Sequence, residues 1–188
     1  MVVDANLSVP CLAYILDACA RHGKQLIFEP TSVPKSTKIF DALKLFGHGD
    51  MRAPSPLALI TPNRNEIVSM AKYVANGTNQ GEELSLAACE EVLLPYCPKI
   101  LLKLDGDGAR VITSKGSAVG NAQILDPSKI KSVTGAGDSM VAAFTIAQSQ
   151  LKYSDHDALQ VSQAVAAAVL QSSDADSPTV KPALLHRI

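Results

Sequence analysis

In the run SVTGAGDSMVAAF, residues 132–144, Gly135, Ala136, Gly137 and Asp138 stand directly before a long apolar stretch. Met140, Phe144, Ala147 and Leu151 recur at helical spacing, which predicts a buried helix that begins at the glycines. The first amides of a helix have no intrahelical acceptor and lie at the positive end of its dipole. Glycines let such amides approach an anion more closely than a Cβ allows, so this turn suits a phosphate. Asp138, in the first helical turn, would put a base beside it. A plainer account fits the same residues, with Thr134 as the helix cap, Asp138 as complement to the dipole and the glycines only as a turn. On the residues alone both accounts stand.

Two further clusters carry polar groups of the right type. In ITPNRNEI, residues 60–67, Asn63 and Glu66 are three apart after a short apolar run. That spacing is a capping box at a helix start. In LLKLDGDGARV, residues 101–111, Lys103, Gly106 and Gly108 surround an aspartate-glycine turn, which by itself reads as a surface hairpin. Asp105 and Asp107 do not make an EF-hand, because the remaining ligands are missing. There is no G-x-x-x-x-G-K-S/T and no G-x-G-x-x-G after the first strand, which argues against a P-loop protein and a Rossmann oxidoreductase.

These clusters need elements to hold them, and the chain supplies alternating short apolar runs and helical patterns. Strand-like runs are VVD near the start, QLIFEP, LALI, KILLKL, ARVITS and SAVGNAQIL. Helical patterns are CLAYILDACARHGK ending at Gly23, the stretch to Gly47, NRNEIVSMAKYVANG to Gly77, and ELSLAACEEVLLPYC. Two more follow, from about residue 138 to 151 and from about 155 to 171, the last opened by a capping box of Ser154 and Asp157. This alternation predicts one α/β/α domain, a mostly parallel sheet covered on both faces, with one antiparallel hairpin at the D-G steps. The DADSP run, residues 174–178, reads as a polar loop.

Bulk composition removes several function classes. The net charge is −1 and Trp is absent, so neither an electrostatic footprint for nucleic acid nor its stacking platforms are present. No apolar run is long enough to span a bilayer, which predicts a soluble, cytoplasmic protein. Cys11, Cys19, Cys89 and Cys97 form no C-x-x-C, and no His falls at a zinc-ligand spacing, so reduced thiols are expected.

The segment from Ser132 to Thr145 resembles the C-terminal signature of the PfkB (ribokinase-like) carbohydrate kinase family. The resemblance implies a three-layer α/β/α Rossmann-like ribokinase fold and phosphoryl transfer from ATP. It makes Gly135-Ala136-Gly137 the anion hole and Asp138 the base that takes the acceptor's proton. It gives Lys103, Gly106, Gly108 and Thr134 to the nucleotide, although Asp105 stands where the family usually has Gly. Asn63 and Glu66 match the family's N-x-x-E motif, which organises Mg²⁺ through water. Ser132, Thr134 and Ser177 fall where a monovalent cation such as K⁺ is held, with Ser132 in place of the usual Asp. Within the family, DANLS, FEPTSVPKSTKI, ITPNRNEI, LLKL and VTGAGDS follow the order of the pseudouridine kinases, which implies the 5′-hydroxyl of pseudouridine as acceptor.

No part of residues 1–188 corresponds to the family's opening strand, its Gly-Gly region or its β-lid. The resemblance therefore implies a single domain made of the C-terminal, nucleotide-binding portion, truncated at the N-terminus. A homodimer, or fusion to a pseudouridine-5′-phosphate glycosidase domain, would accompany it. A second expectation is a catalytically impaired pseudokinase or interaction domain, since positioning and water exclusion supply much of the rate.

Overall fold

A computed structural model describes residues 1–75, 84–123 and 125–172. Its six strands are β1 (Val2–Asp4), β2 (Leu26–Glu29), β3 (Leu57–Ile60), β4 (Lys99–Lys103), β5 (Ala109–Thr113) and β6 (Gly116–Gly120). They lie side by side in chain order, β1 to β6. The first three pairings are parallel, with Asp4 opposite Glu29, Phe28 opposite Ile60 and Ile60 opposite Ile100. Helices α1 (Val9–Arg21), α2 (Lys38–Phe46), α3 (Arg64–Val74), α4 (Leu86–Leu93), α5 (Ala136–Ser149) and α6 (Asp155–Leu170) fall between and after the strands. This is the mixed α/β, mostly parallel architecture expected.

The apolar pattern explains the elements. Ile100, Leu101 and Leu102 are consecutive and all fully buried, so β4 is covered on both faces, as parallel strands require. Leu12, Leu16 and Cys19 recur at helical spacing and are the buried stripe of α1. Ser8 caps that helix through Cys11 N, so α1 starts two residues before the apolar pattern does.

The chain divides into two compact units. The first comprises Met1–Leu102 with Ile112–Gly116, and the second Lys103–Val111 with 117–188. In the first unit α1 packs on α2, and α3 on α4; in the second, α5 packs on α6.

Several boundaries differ from the sequence reading. The strand drawn through SAVGNAQIL stops at Gly120. There Gln163 Nε2 donates to Gly120 O at 3.3 Å, and a Cβ at Gly120 would lie 3.1 Å from Leu159 Cβ, so α6 takes up the backbone that a ladder would need. The Asp-Gly-Asp turn is a single 3₁₀ turn, Asp105–Asp107. Ser154 does cap α6, through Asp157 N at 3.1 Å. However, the short Asp157 side chain accepts from the Ser154 hydroxyl at 2.7 Å instead of closing a box on its backbone. Gly77 lies outside the described residues, and α3 ends at Val74 with Ala75 as its cap.

Candidate active site

The turn before α5 takes the form that anion binding needs. Gly135 is the N-cap, with φ 82° and ψ −10°, and no side chain caps the helix. The plainer account, in which Thr134 is the cap, is therefore overturned: a left-handed residue occupies that place, and Thr134 precedes it. The opening amides of α5 consequently keep the positive end of the helix open. Gly137 and Asp138 are exposed, whereas Met140, Val141 and Phe144 behind them are buried.

Lys103 comes to the same place. A Cβ built on Gly137 would have Lys103 Cδ and Nζ as its nearest neighbours, both at 4.0 Å. The end of β4 thus brings an ammonium group beside the second glycine of the turn. This is the electrostatic company a bound phosphate requires, and the opening at Gly137 is filled by nothing closer. The donor set fits a nucleotide's phosphates.

The two other glycines assigned to the nucleotide divide in role. Gly106 is open, with nothing within 4 Å of a Cβ built on it. Gly108 is buried at φ 91°, and a Cβ there would lie 2.2 Å from Gly120 O and 2.6 Å from Ala122 N. Its lack of a side chain serves backbone packing inside the second unit. Asp105, where the family usually has Gly, adopts φ 52°, a left-handed shape that glycine takes without steric cost. Of the residues matched to a monovalent cation, Ser132 Oγ accepts from Thr134 N at 3.1 Å, and Ser177 lies outside the described residues.

In the first unit Asn63 and Glu66 form a complete capping box. Asn63 Oδ1 accepts from Asn65 N at 3.0 Å and Glu66 N at 2.9 Å, and Glu66 Oε2 accepts from Asn63 N at 2.8 Å. Glu66 is only 3% exposed. With these oxygens already engaged by the backbone, the pair fits a hydrated Mg²⁺ met through water. Beside it, at the carboxyl ends of β2 and β3, stands a pair that the sequence reading did not single out. The fully buried Thr61 donates through Oγ1 to the Glu29 carboxylate, and Thr61 N donates to Phe28 O at 3.1 Å. A carboxylate closing the apolar run LIFE was the available signal. Among the described residues, no group of three His, Cys, Asp or Glu side chains is placed to hold a metal directly.

The model of the pfkB family carbohydrate kinases matches residues 2–182. The chain belongs to the PfkB family. This PfkB chain is 25% identical over 181 residues to the bifunctional protein HldE of Rhodopseudomonas palustris, covering 96% of the chain and 32% of that relative. It is 23% identical over 231 residues to a pseudouridine-metabolizing bifunctional protein of Schizosaccharomyces pombe, covering 96% and 30%. Among solved structures, the ribokinase of Thermotoga maritima superposes with a TM-score of 0.72 at 20% identity, over 98% of this chain and 52% of that one. The PfkB chain thus spans about a third of those curated relatives and about half of that solved kinase. No helix among the described residues is long and apolar enough to cross a membrane.

Proposed function

We propose that the chain is the phosphoryl-donor portion of a PfkB kinase, transferring phosphate from ATP to a hydroxymethyl group of a sugar or nucleoside. The observation that carries this is the uncapped N-terminus of α5, opened by left-handed Gly135, with the Lys103 ammonium beside Gly137. Amides 136–138 and Lys103 stabilise the charge on the transferring group, and Asp138 orients the acceptor hydroxyl. As the bond from that oxygen to phosphorus forms and the bond to the leaving ADP breaks, the hydroxyl proton passes to the Asp138 carboxylate. Asn63 and Glu66 would hold a hydrated Mg²⁺ through water, and the ion would supply further positive charge for the phosphates. Lys103, Gly106 and Thr134 would border the nucleotide, and Ser132 and Thr134 would serve a bound K⁺.

The acceptor proposed is the 5′-hydroxyl of pseudouridine. The EPTSVPKS run, residues 29–36, and the pseudouridine-metabolizing relative support it. That relative and HldE are both bifunctional, which supports a fused glycosidase domain as partner in the natural protein. A second reading, a fold that binds without turning over, is favoured by the exposure of Asp138, since a base open to water loses electrostatic leverage.

Calorimetric titration with Mg·ATP tests the donor role. Saturable binding to the chain, lost in Gly137→Ala, supports it; no binding at millimolar nucleotide overturns it. Asp138→Asn is expected to retain that binding and abolish ATP-dependent phosphorylation of pseudouridine. If only the binding is found and the unaltered chain never turns over, the second reading is the correct one.

A further inference from the structure

Two residues of the FEPTSVPKSTKI run, neither given a role so far, hold the connection between β1 and α1 from outside. Thr31 follows Pro30 just after β2 and has φ 66°. A β-branched residue in the left-handed region is a steric outlier, and glycine or asparagine would adopt that shape more easily. What threonine adds is its hydroxyl. Thr31 Oγ1 accepts from Ala5 N at 3.2 Å and donates to Glu29 O at 3.3 Å. Backbone strain of this kind persists where its surroundings enforce it, and it clusters at ligand-holding sites.

Lys38 is the first residue of α2, the end where the helix dipole disfavours a cation. Its ammonium turns away and donates to Ala5 O at 2.9 Å and Leu7 O at 3.1 Å. The Ala5 N–H is thus shared between Glu29 O at 3.0 Å and the Thr31 hydroxyl, and the Ala5 carbonyl is held by the first side chain of α2.

The connection so fixed carries a polar row. Lys35 Nζ donates to Asn6 Oδ1 at 2.6 Å, while Asn6 N and Nδ2 donate to the Asp4 carboxylate at 2.9 and 3.1 Å. Asp4 and Asn6 are exposed. The row stands at the carboxyl ends of the parallel neighbours β1 and β2, the end at which open parallel sheets bind ligands. A carboxylate, an amide and an ammonium in sequence offer both acceptors and donors to vicinal hydroxyls.

We propose that Thr31 and Lys38 are positioning residues for the phosphoryl acceptor. They hold residues 5–7 so that the Asp4–Asn6–Lys35 row is preformed for the hydroxyls of a ribose-like ring. This rests on the kinase reading above and extends it to the acceptor.

The test is NMR titration of the isotope-labelled full chain with pseudouridine and, separately, with Mg·ATP. Thr31→Val and Lys38→Met are expected to weaken pseudouridine binding by about tenfold or more and to leave Mg·ATP within about twofold. Thr31→Ser, which restores the hydroxyl, should bind as the unaltered chain does. Unchanged pseudouridine affinity in both variants, or equal loss of both ligands, overturns the proposal. So does an unaltered chain that binds no pseudouridine at millimolar concentration, in which case Mg·ATP binding in the same sample shows that the donor reading survives. Conversely, selective loss of pseudouridine in a chain that never binds Mg·ATP upholds the positioning role and sinks the donor reading.

Discussion

Three glycine-class positions respond to a side chain in opposite directions, because each is glycine or its substitute for a different reason. Gly137 lies inside α5 with 4.0 Å to its nearest neighbour, so alanine fits and gains about 0.5–1 kcal/mol of helix propensity. Gly137→Ala should therefore raise the melting temperature while weakening Mg·ATP binding, a combination that a misfolded variant cannot produce. Gly108→Ala meets Gly120 O at 2.2 Å in a backbone shape that alanine rarely takes, and should cost about 3 kcal/mol or more in denaturant unfolding. Asp105 holds φ 52° as a non-glycine, so Asp105→Gly should stabilise by up to about 1 kcal/mol, the relieved strain being partly offset by a more flexible unfolded chain. A loss of stability in that variant would mean that the Asp105 side chain supports the turn.

At the scale of elements, the start of α3 is the most exposed to a single change. Asn63 accepts two amide bonds there, and Asn63→Ala should destabilise the chain by about 1–2 kcal/mol, measured by urea unfolding. Most elements were legible because their apolar patterns are local: LALI is β3 residue for residue, and the run after Gly137 is α5. The turn before α5 was legible for the same reason, since glycines and an acid abut a helical repeat. What stayed hidden depends on distant partners. The strand after Gly116 ended early because α6 reaches Gly120 from 43 residues away. Thr31 and Lys38 meet the start of the chain across separations of 26 and 33 residues, and no spacing rule connects them. Thr134 was a reasonable cap by residue type, but the choice belonged to the backbone angle of Gly135, which a sequence does not print.

At the scale of the whole molecule, weak acids whose protons the fold retains weaken it at alkaline pH. Burial pushes the Cys97 thiol from 9.0 up to about 12, and hydrogen bonding to the Asp41 carboxylate pushes the Tyr73 hydroxyl from 10.0 up to about 12. Burial also raises Cys89 above its ordinary value. In each case the folded state keeps a proton that the unfolded chain releases, so stability is fully present below pH 9 and falls as pH rises towards 12. Urea midpoints should be level on this account between pH 7 and about 8.5 and decline above it. The thiols offer a parallel check: Cys11 is exposed and Cys19, Cys89 and Cys97 are buried, so a native thiol titration should find one fast-reacting group of four. The parallel order of β1, β2, β3 and β4 has a consequence for biogenesis. Strands β2, β3 and β4 each pair with the strand made just before, so each leaves the ribosome with its docking edge already built. Synthesis itself can lay this part of the sheet down strand by strand.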